Sequence, residues 1–188
     1  MNSMLVKYCQ YAKYENVRVT IPRTVVVATD YFDAFIRNNG LEYVLTTEMT
    51  DEEILSEFVS STLPYKLREA LKAYVRTVSG PLAVRSSSKL EDSHYQPFAG
   101  IYSTYMIPYT EGNEDRQLRL LQKAIKSVYA STYFAASKAY VQSSQNLIAE
   151  EKMAVVIQEV CGTEQDGLFF PTCSGLARSI NYYPIGDE

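Results

Sequence analysis

The sequence predicts an α+β fold, with a mainly helical front portion, residues 1–79, before a mixed or antiparallel sheet with one long helix, residues 80–188. Apolar residues recur at helical spacing in the first third, whereas short β-branched or alternating runs dominate after residue 80. With 188 residues, 46% of them hydrophobic, the chain can form one ordinary domain or two small subdomains with a buried core.

Charge and cysteine content restrict the function. The net charge of -4 lacks the basic excess that binds a phosphate backbone, so we expect no nucleic-acid partner. Three cysteines without C-x-x-C spacing favour reduced thiols and a cytoplasmic location, not a zinc cluster or a disulfide framework.

No apolar run reaches the ~20 residues that span a bilayer, so we expect no membrane association. His94 is the only histidine, which excludes a multi-histidine metal site, and the sequence has no G-x-S-x-G nucleophile elbow of a serine hydrolase.

The front portion begins with a helical pattern over residues 2–14. In VRVTIPRTVVVAT, Pro22 interrupts a β-branched run, which predicts two short extended pieces around a bend and not one central strand. A helix capped by Thr29 or Asp30 should follow and end at Gly40.

Two more helices are predicted before residue 80. Thr50 and Glu53 have the T-x-x-E spacing of a capping box ahead of an apolar helix face. Pro64 suits a first helical position, and the apolar repeat after it continues to Gly80.

The second portion alternates strands with one helix. PLAV after Gly80 and the alternating IYSTYMI read as strands, and the turn PYTEGNED leads into a helix over residues 114–143. Three further strands, MAVVIQEV, DGLFFP and ARSINYYP, are separated by residues 161–165 and 172–175, which suggests an antiparallel sheet.

Arg85 is the first candidate binding residue, because it follows the PLAV strand and should direct its guanidinium toward a polar loop. A guanidinium has fixed donors that bind phosphate in bidentate fashion, and the hydroxyls and amides of Ser86, Ser87 and Ser88 can add donors. The alternative is a charged turn in which Arg85 pairs with the Glu91–Asp92 carboxylates.

Phe98, Ala99 and Gly100 form a second candidate group. The two small residues let a backbone approach a ligand closely, with the phenyl ring as a lid or a base stack. A core phenylalanine followed by a turn glycine is the competing interpretation.

Gln158, Glu159 and Val160 form a third group at the end of the AVVI strand. A carboxamide, a carboxylate and free backbone groups can read an adenine edge, which has both a donor and acceptors. These residues can equally be surface polar residues where a strand enters a turn. The sequence has no Walker A or G-x-G-x-x-G phosphate loop, so an ATP site must be built differently.

The order of the segments resembles a known family. PLAVRSSSKLEDSHYQPFAGIYSTYMIP resembles the stretch of phosphoenolpyruvate synthases with Arg-Ser-Ser, Glu-Asp and Phe-Ala-Gly. Similar matches are YASTYFAASKAYV to its Ala-Ser-Leu helix, MAVVIQEVCGTEQDGLFFP to its Val-Gln strand and Ser-Gly-Val-x-Phe, and IPRTVVVATDYFDAFIRNNGL to its Pro-Pro-Gly-Phe-Val-Val-Thr segment. Together they resemble the N-terminal ATP-binding domain of the phosphoenolpyruvate synthase and pyruvate phosphate dikinase family, truncated at both ends.

The resemblance implies a partial ATP-grasp-like nucleotide-binding domain that supplies phosphate from ATP to a histidine on a separate phospho-carrier domain. It implies that Arg85, with Ser86 and Ser87, contacts the ATP phosphates, that the Phe98–Gly100 turn covers them, and that Gln158–Val160 form the adenine-side hinge. It also implies Mg²⁺, with ligands outside this fragment, so we expect the isolated chain to bind ATP without turnover.

Departures from the family pattern motivate an alternative. The Gly-Gly-Lys motif is expected before the start of the chain, and Pro97, Ile101, Ser103 and Lys138 replace residues common in the family. The alternative is a degenerate, non-catalytic regulatory or interaction module. Pyruvate, water or a glucan can be the final acceptor in this superfamily, and a truncated lobe can form a homodimer to cover apolar surface.

Overall fold

The computed structural model describes residues 20–88, 102–143 and 152–175. The predicted helix over residues 2–14, the strand ARSINYYP and His94 lie outside these ranges. The α+β class is confirmed. The elements are β1 (Thr24–Val27), α1 (Thr29–Asn39), a 3-10 helix (Leu41–Leu45), α2 (Asp51–Ser60), α3 (Tyr65–Val75), β2 (Leu82–Ser88), β3 (Tyr105–Ile107), α4 (Glu114–Ser131), α5 (Ala135–Ser143), β4 (Met153–Glu159), β5 (Thr163–Gln165) and β6 (Leu168–Phe170).

Four strands form one antiparallel sheet in the order β1-β4-β2-β3. Among the described strands β1 lies at an edge, which agrees with the prediction that VRVTIPRTVVVAT does not form one central strand. Residues of β4 alternate between the two faces, so that Met153, Val155 and Ile157 are completely buried on one of them. β1 belongs to the front portion and pairs with β4, while the division at residue 80 stays a prediction.

Helix α4 lies between the sheet and the helices α2 and α3. It contacts β2, β3 and β4 on one side and α2 and α3 on the other. Aromatic rings fill the helical core, with the Phe35 ring centroid 5.7 Å from that of Phe58 and 5.5 Å from that of Tyr129. All three side chains are fully buried, so this cluster stabilises the layer that supports the sheet.

The helix ends match the prediction in part. The Thr50 hydroxyl accepts from the Glu53 amide at 3.2 Å and the Glu53 carboxylate accepts from the Thr50 amide at 2.8 Å, which confirms the capping box. Gly40 ends α1 at a φ of 62°, as predicted. Ala28, and not Thr29 or Asp30, is the N-terminal cap of α1.

The predicted helix after Pro64 is shorter than expected. Pro64 caps α3 instead of taking its first helical position, and α3 ends at Val75. The repeat continues to Val78, which is 6% exposed, but the chain has left the helix by then. The apolar repeat of the sequence therefore runs past the end of the helix, because Val78 is a buried residue of the turn after α3.

The single helix predicted over residues 114–143 is two helices. The amide of Tyr133 donates to Ala130 at 2.9 Å, an i to i-3 bond that tightens the last turn of α4. The Ser137 hydroxyl then donates to the Ser131 carbonyl at 2.7 Å, and the Asp51 carboxylate accepts from the Ala135 amide at 2.8 Å. These side-chain bonds satisfy backbone groups that the break leaves without helical partners.

A separate hairpin follows the sheet. β5 lies within residues 161–165, which were predicted as a connection, and pairs with β6 across a turn at Asp166 and Gly167. Both turn residues have positive φ, 53° and 77°, the conformation of a two-residue hairpin turn. The prediction of one sheet containing MAVVIQEV and DGLFFP is therefore wrong, because β6 pairs with β5 and not with β4.

Candidate functional site

Arg85 lies in the middle of a strand and not at its exit. β2 continues through the serines because Ser86, Ser87 and Ser88 pair with the three residues from Val155 back to Met153. The predicted polar loop directly after PLAV is thus replaced by sheet. Arg85 stands opposite Val156 and its side chain is exposed.

Strand alternation divides the polar run between two faces. Leu82, Val84 and Ser88 are buried on the face that packs on the helices, and Ser86 shares that face by register. Ser87 lies with Arg85 on the opposite face, which we call the outer face. The phosphate contacts of Arg85, Ser86 and Ser87 stay predictions, and only Ser87 shares the face of Arg85.

Gln158 also lies on the outer face. It stands opposite Ala83 of β2 and is therefore a diagonal neighbour of Arg85. On its other side it faces Thr24 of β1, and its Nε2 donates to Thr24 Oγ1 at 3.0 Å. Thr24 Oγ1 in turn lies 3.0 Å from the Pro22 carbonyl oxygen, to which it donates.

Glu159 lies on the opposite face from Gln158. Its carboxylate is 3.5 Å from the Arg23 Nε, and the same guanidinium donates to the Thr77 carbonyl at 2.9 Å. Burial raises the pKa of Tyr74, and the negative charge of Glu159 raises it further. Arg23 therefore connects the end of β4 to the turn after α3.

The backbone amides at this strand end are not free, which corrects the prediction. The Glu159 amide donates to the Arg23 carbonyl at 3.0 Å, and the Val160 amide donates to the Pro81 carbonyl at 2.9 Å. The first bond continues the pairing of β4 with β1, and the second continues the pairing of β4 with β2, each by one residue. Adenine recognition by Gln158, Glu159 and Val160 stays a prediction. Of the two side chains of β4 in this group, that of Gln158 lies on the outer face.

The outer face combines apolar and polar groups. Val26 is 58% exposed and Met106 is 62% exposed, with Ala83, Ala154 and Val156 half-buried between them. Arg85 is the cation that the described strands place on this face, and no ion-pair partner for it is found among the described residues. Such a surface suits a ligand with a flat apolar part and an anionic part.

A groove of about 500 Å³ opens between the sheet and the hairpin. Val160 lines it, together with Pro81, Met106, Tyr109, Leu168 and Phe169. Gly162 allows Phe170 of the hairpin to approach closely, because a Cβ at residue 162 would lie 2.8 Å from the Phe170 carbonyl carbon. Val160, the third residue of the predicted adenine-binding group, thus borders an apolar groove beside the outer face.

Sequence reasoning overlooked Thr24 and Arg23. Thr24 could have been found from the alternation of TVVV, which places it on the face of Val26, but its partner Gln158 is 134 residues away and the register is not readable from the sequence. Phe98, Ala99 and Gly100 lie outside the described residues, so their role stays a prediction.

The described ranges contain no group of three or more histidine, cysteine, aspartate or glutamate side chains that could hold a metal ion. These residues therefore do not fit a Mg²⁺ site by themselves. Nor is any helix in the described part of the chain both long and apolar enough to cross a bilayer.

Comparison with known proteins identifies the family. The chain is 31% identical over 157 residues to "Uncharacterized phosphotransferase YvkC" of Bacillus subtilis, a match that covers 80% of this chain and 17% of that protein. It is 29% identical over 174 residues to "Phosphoenolpyruvate synthase" of Aeropyrum pernix, with coverage of 81% and 20%. The chain thus spans about a fifth of the length of these relatives. Residues 4–186 match the family model described as "Pyruvate phosphate dikinase, AMP/ATP-binding domain", and the chain belongs to this family.

Proposed function

We propose that this chain binds ATP on the outer face of its four-stranded sheet, as the nucleotide-binding part of a dikinase-type phosphotransferase. The position of Arg85 and Gln158 on one open face carries the proposal, since it brings a phosphate-binding cation and a base-reading carboxamide together. The apolar strip around Val156 lies beside both. An AMP/ATP-binding family supports ATP as the ligand, and the α+β topology is consistent with an ATP-grasp-like domain.

We also propose a phosphotransfer reaction for the full-length protein. ATP would phosphorylate a histidine on a separate carrier domain, and the similarity to a phosphotransferase and a phosphoenolpyruvate synthase supports this class of reaction. Magnesium neutralises developing charge in phosphoryl transfer, and we propose that its ligands lie outside residues 1–188. The described residues bind and orient the nucleotide.

We also propose a cytoplasmic location and a homodimer. The described thiols Cys161 and Cys173 are exposed and free, which agrees with a reduced compartment such as the cytoplasm. Leu168 is 66% exposed on the hairpin, and a second copy of the chain could cover it in a homodimer.

Isothermal titration calorimetry with ATP and magnesium, on the full-length protein, tests the binding site. Loss of a charged hydrogen bond to phosphate costs about 2 kcal/mol, so Arg85→Ala should weaken ATP binding at least tenfold. Arg85→Lys should bind with intermediate affinity, because it keeps the charge and loses the bidentate geometry. Arg119→Ala is the matched control, since Arg119 is an exposed arginine of α4, away from the outer face. Equal affinity in wild type and Arg85→Ala would remove Arg85 from the site.

The alternative, a degenerate binding module, has one specific observation in its favour. Lys138 replaces a common arginine of the family, and its Nζ lies 3.4 Å from the Val44 carbonyl, a contact within the helical layer. Incubation of the full-length protein with γ- and β-labelled ATP separates the two functions. Transfer of label to a histidine supports the phosphotransferase, whereas ATP binding without any transfer supports the module.

A further inference from the structure

Two consecutive hydrogen bonds connect Gln158 to the first residues of β1. Gln158 Nε2 lies 3.0 Å from Thr24 Oγ1, and Thr24 Oγ1 lies 3.0 Å from the Pro22 carbonyl oxygen. Thr24 and Gln158 are direct partners in the register of β1 and β4, so the sheet itself holds the two side chains together.

The chemistry of these groups sets the direction of both bonds. A backbone carbonyl only accepts, so the single hydroxyl proton of Thr24 is committed to Pro22. The Thr24 oxygen can then only accept, and it must face the NH₂ group of Gln158. The carboxamide is therefore held with its NH₂ group toward β1, and its Oε1 is left to accept a hydrogen bond from a ligand.

Space beside Gln158 is available on the outer face. Its partner on the other side is Ala83, a small residue, and Val26 on the same face is 58% exposed. Within the described ranges, Gln158 Oε1 has no hydrogen-bond partner. A flat base can thus approach the carboxamide across an apolar floor, with its edge toward Oε1.

From this geometry we infer that Thr24 determines base specificity by fixing Gln158 as a hydrogen-bond acceptor. The inference rests on the proposed function of the outer face. An oriented Oε1 accepts from the exocyclic amino group of adenine, whereas guanine has an acceptor oxygen at the equivalent position. Two acceptors facing each other leave a desolvated group unpaired, so the site favours ATP over GTP. Thr24 is a positioning residue, since it acts through Gln158.

Replacement of the Thr24 hydroxyl tests the inference. Thr24→Val keeps the branched shape and a high strand propensity but removes the hydroxyl, so Gln158 can turn its NH₂ group toward the base. ATP and GTP affinities are measured by calorimetry on the full-length protein. We expect wild type to prefer ATP about tenfold or more, and Thr24→Val to lose most of this preference, in line with one mismatched hydrogen bond.

Two further variants separate orientation from folding and from general binding. Thr24→Ser keeps the hydroxyl and should keep the ATP preference of wild type. Arg85→Ala should weaken the binding of ATP and the binding of GTP by the same factor, because both nucleotides carry the same phosphates. An unchanged ATP to GTP ratio in Thr24→Val, or wild-type ATP binding without preference, would overturn the inference while leaving the proposed function intact. If wild type binds neither nucleotide, the proposed function and the inference fail together.

Discussion

The side chains of Arg85 and Gln158 lie on the same face of the sheet, on neighbouring strands and two positions apart in register. Strand pairing alone produces this relationship, since Arg85 belongs to β2 and Gln158 to β4. The neighbour of Gln158 in sequence, Glu159, faces the helical layer instead and pairs with Arg23. The outer face can thus present one cation and one carboxamide to a ligand while the adjacent carboxylate stabilises the fold.

The pairing of Arg23 with Glu159 should contribute measurably to stability. The Glu159 side chain is 21% exposed, so its charge is less screened than that of a fully exposed residue. A double-mutant cycle with Arg23→Gln and Glu159→Gln should give a coupling energy of about 1 kcal/mol in urea unfolding. The matched cycle is the exposed pair Arg76 and Glu114, whose side chains are 60% and 63% exposed and whose coupling should be smaller. Equal coupling in the two cycles would contradict this role of burial.

Tyr129→Phe should leave stability unchanged or raise it at neutral pH. The ring is completely buried against Phe32 and Phe35, and its buried hydroxyl has no hydrogen-bond partner among the described residues. Removing an unpaired buried hydroxyl removes a desolvation cost while the ring contacts stay in place. Thermal unfolding at pH 7 checks this expectation, and a loss above about 1 kcal/mol would indicate an undetected partner.

The same hydroxyl predicts an alkaline loss of stability. Burial raises the pKa of Tyr129 far above its usual value, with a smaller contribution from the Asp30 carboxylate. Above the unfolded-state pKa of about 10, the unfolded chain loses this proton and the native protein keeps it, so stability falls as pH rises. Urea unfolding between neutral pH and pH 11 should show a shallower decline in Tyr129→Phe than in wild type. Identical slopes would show that Tyr129 is not a source of the loss.

Asp51→Ala should destabilise α5, although Asp51 lies in α2. The Asp51 carboxylate accepts from the Ala135 amide at 2.8 Å and caps the first turn of α5. Loss of a capping side chain costs about 1 kcal/mol. Glu52→Ala is the control, because Glu52 is also in the first turn of α2 and should have a similar effect on that helix alone. If both variants lose the same stability, the bond to α5 contributes nothing.

Gly162→Ala should displace the β5–β6 hairpin. An added Cβ would lie 2.8 Å from the Phe170 carbonyl carbon and 2.9 Å from the Phe169 ring, so the hairpin must move. Hydrogen exchange at the β5 and β6 amides should accelerate in this variant. Gly80→Ala is the control, since no atom lies within 4 Å of a Cβ added there. Unchanged exchange in Gly162→Ala would mean that the hairpin position does not depend on this contact.

Local patterns predicted much of the fold. The capping box at Thr50 and Glu53, the helix stop at Gly40 and the strand MAVVIQEV depend on residues close in sequence, and all three were predicted. The extension of β2 through Ser88 was missed because pairing with β4, a distant strand, turns three serines of low strand propensity into sheet.

Two other differences had signals in the sequence. The Asp166–Gly167 pair is a strong hairpin signal that could have revealed β5 and β6. The separation of Gln158 and Glu159 follows from strand alternation, since neighbouring residues point to opposite faces. The bond between Thr24 and Gln158, in contrast, needs the register of β1 against β4 and is visible only in the folded chain.

The strand order β1-β4-β2-β3 also has a consequence for the order of folding. β2 and β3 can pair as soon as both have left the ribosome. β1 pairs only with β4 among the described strands, across a separation of 134 residues between Thr24 and Gln158. The outer face therefore forms late in synthesis, since contacts of such high sequence separation are slow to close. Until β4 is made, the exposed edge of β1 is open to pairing with other chains.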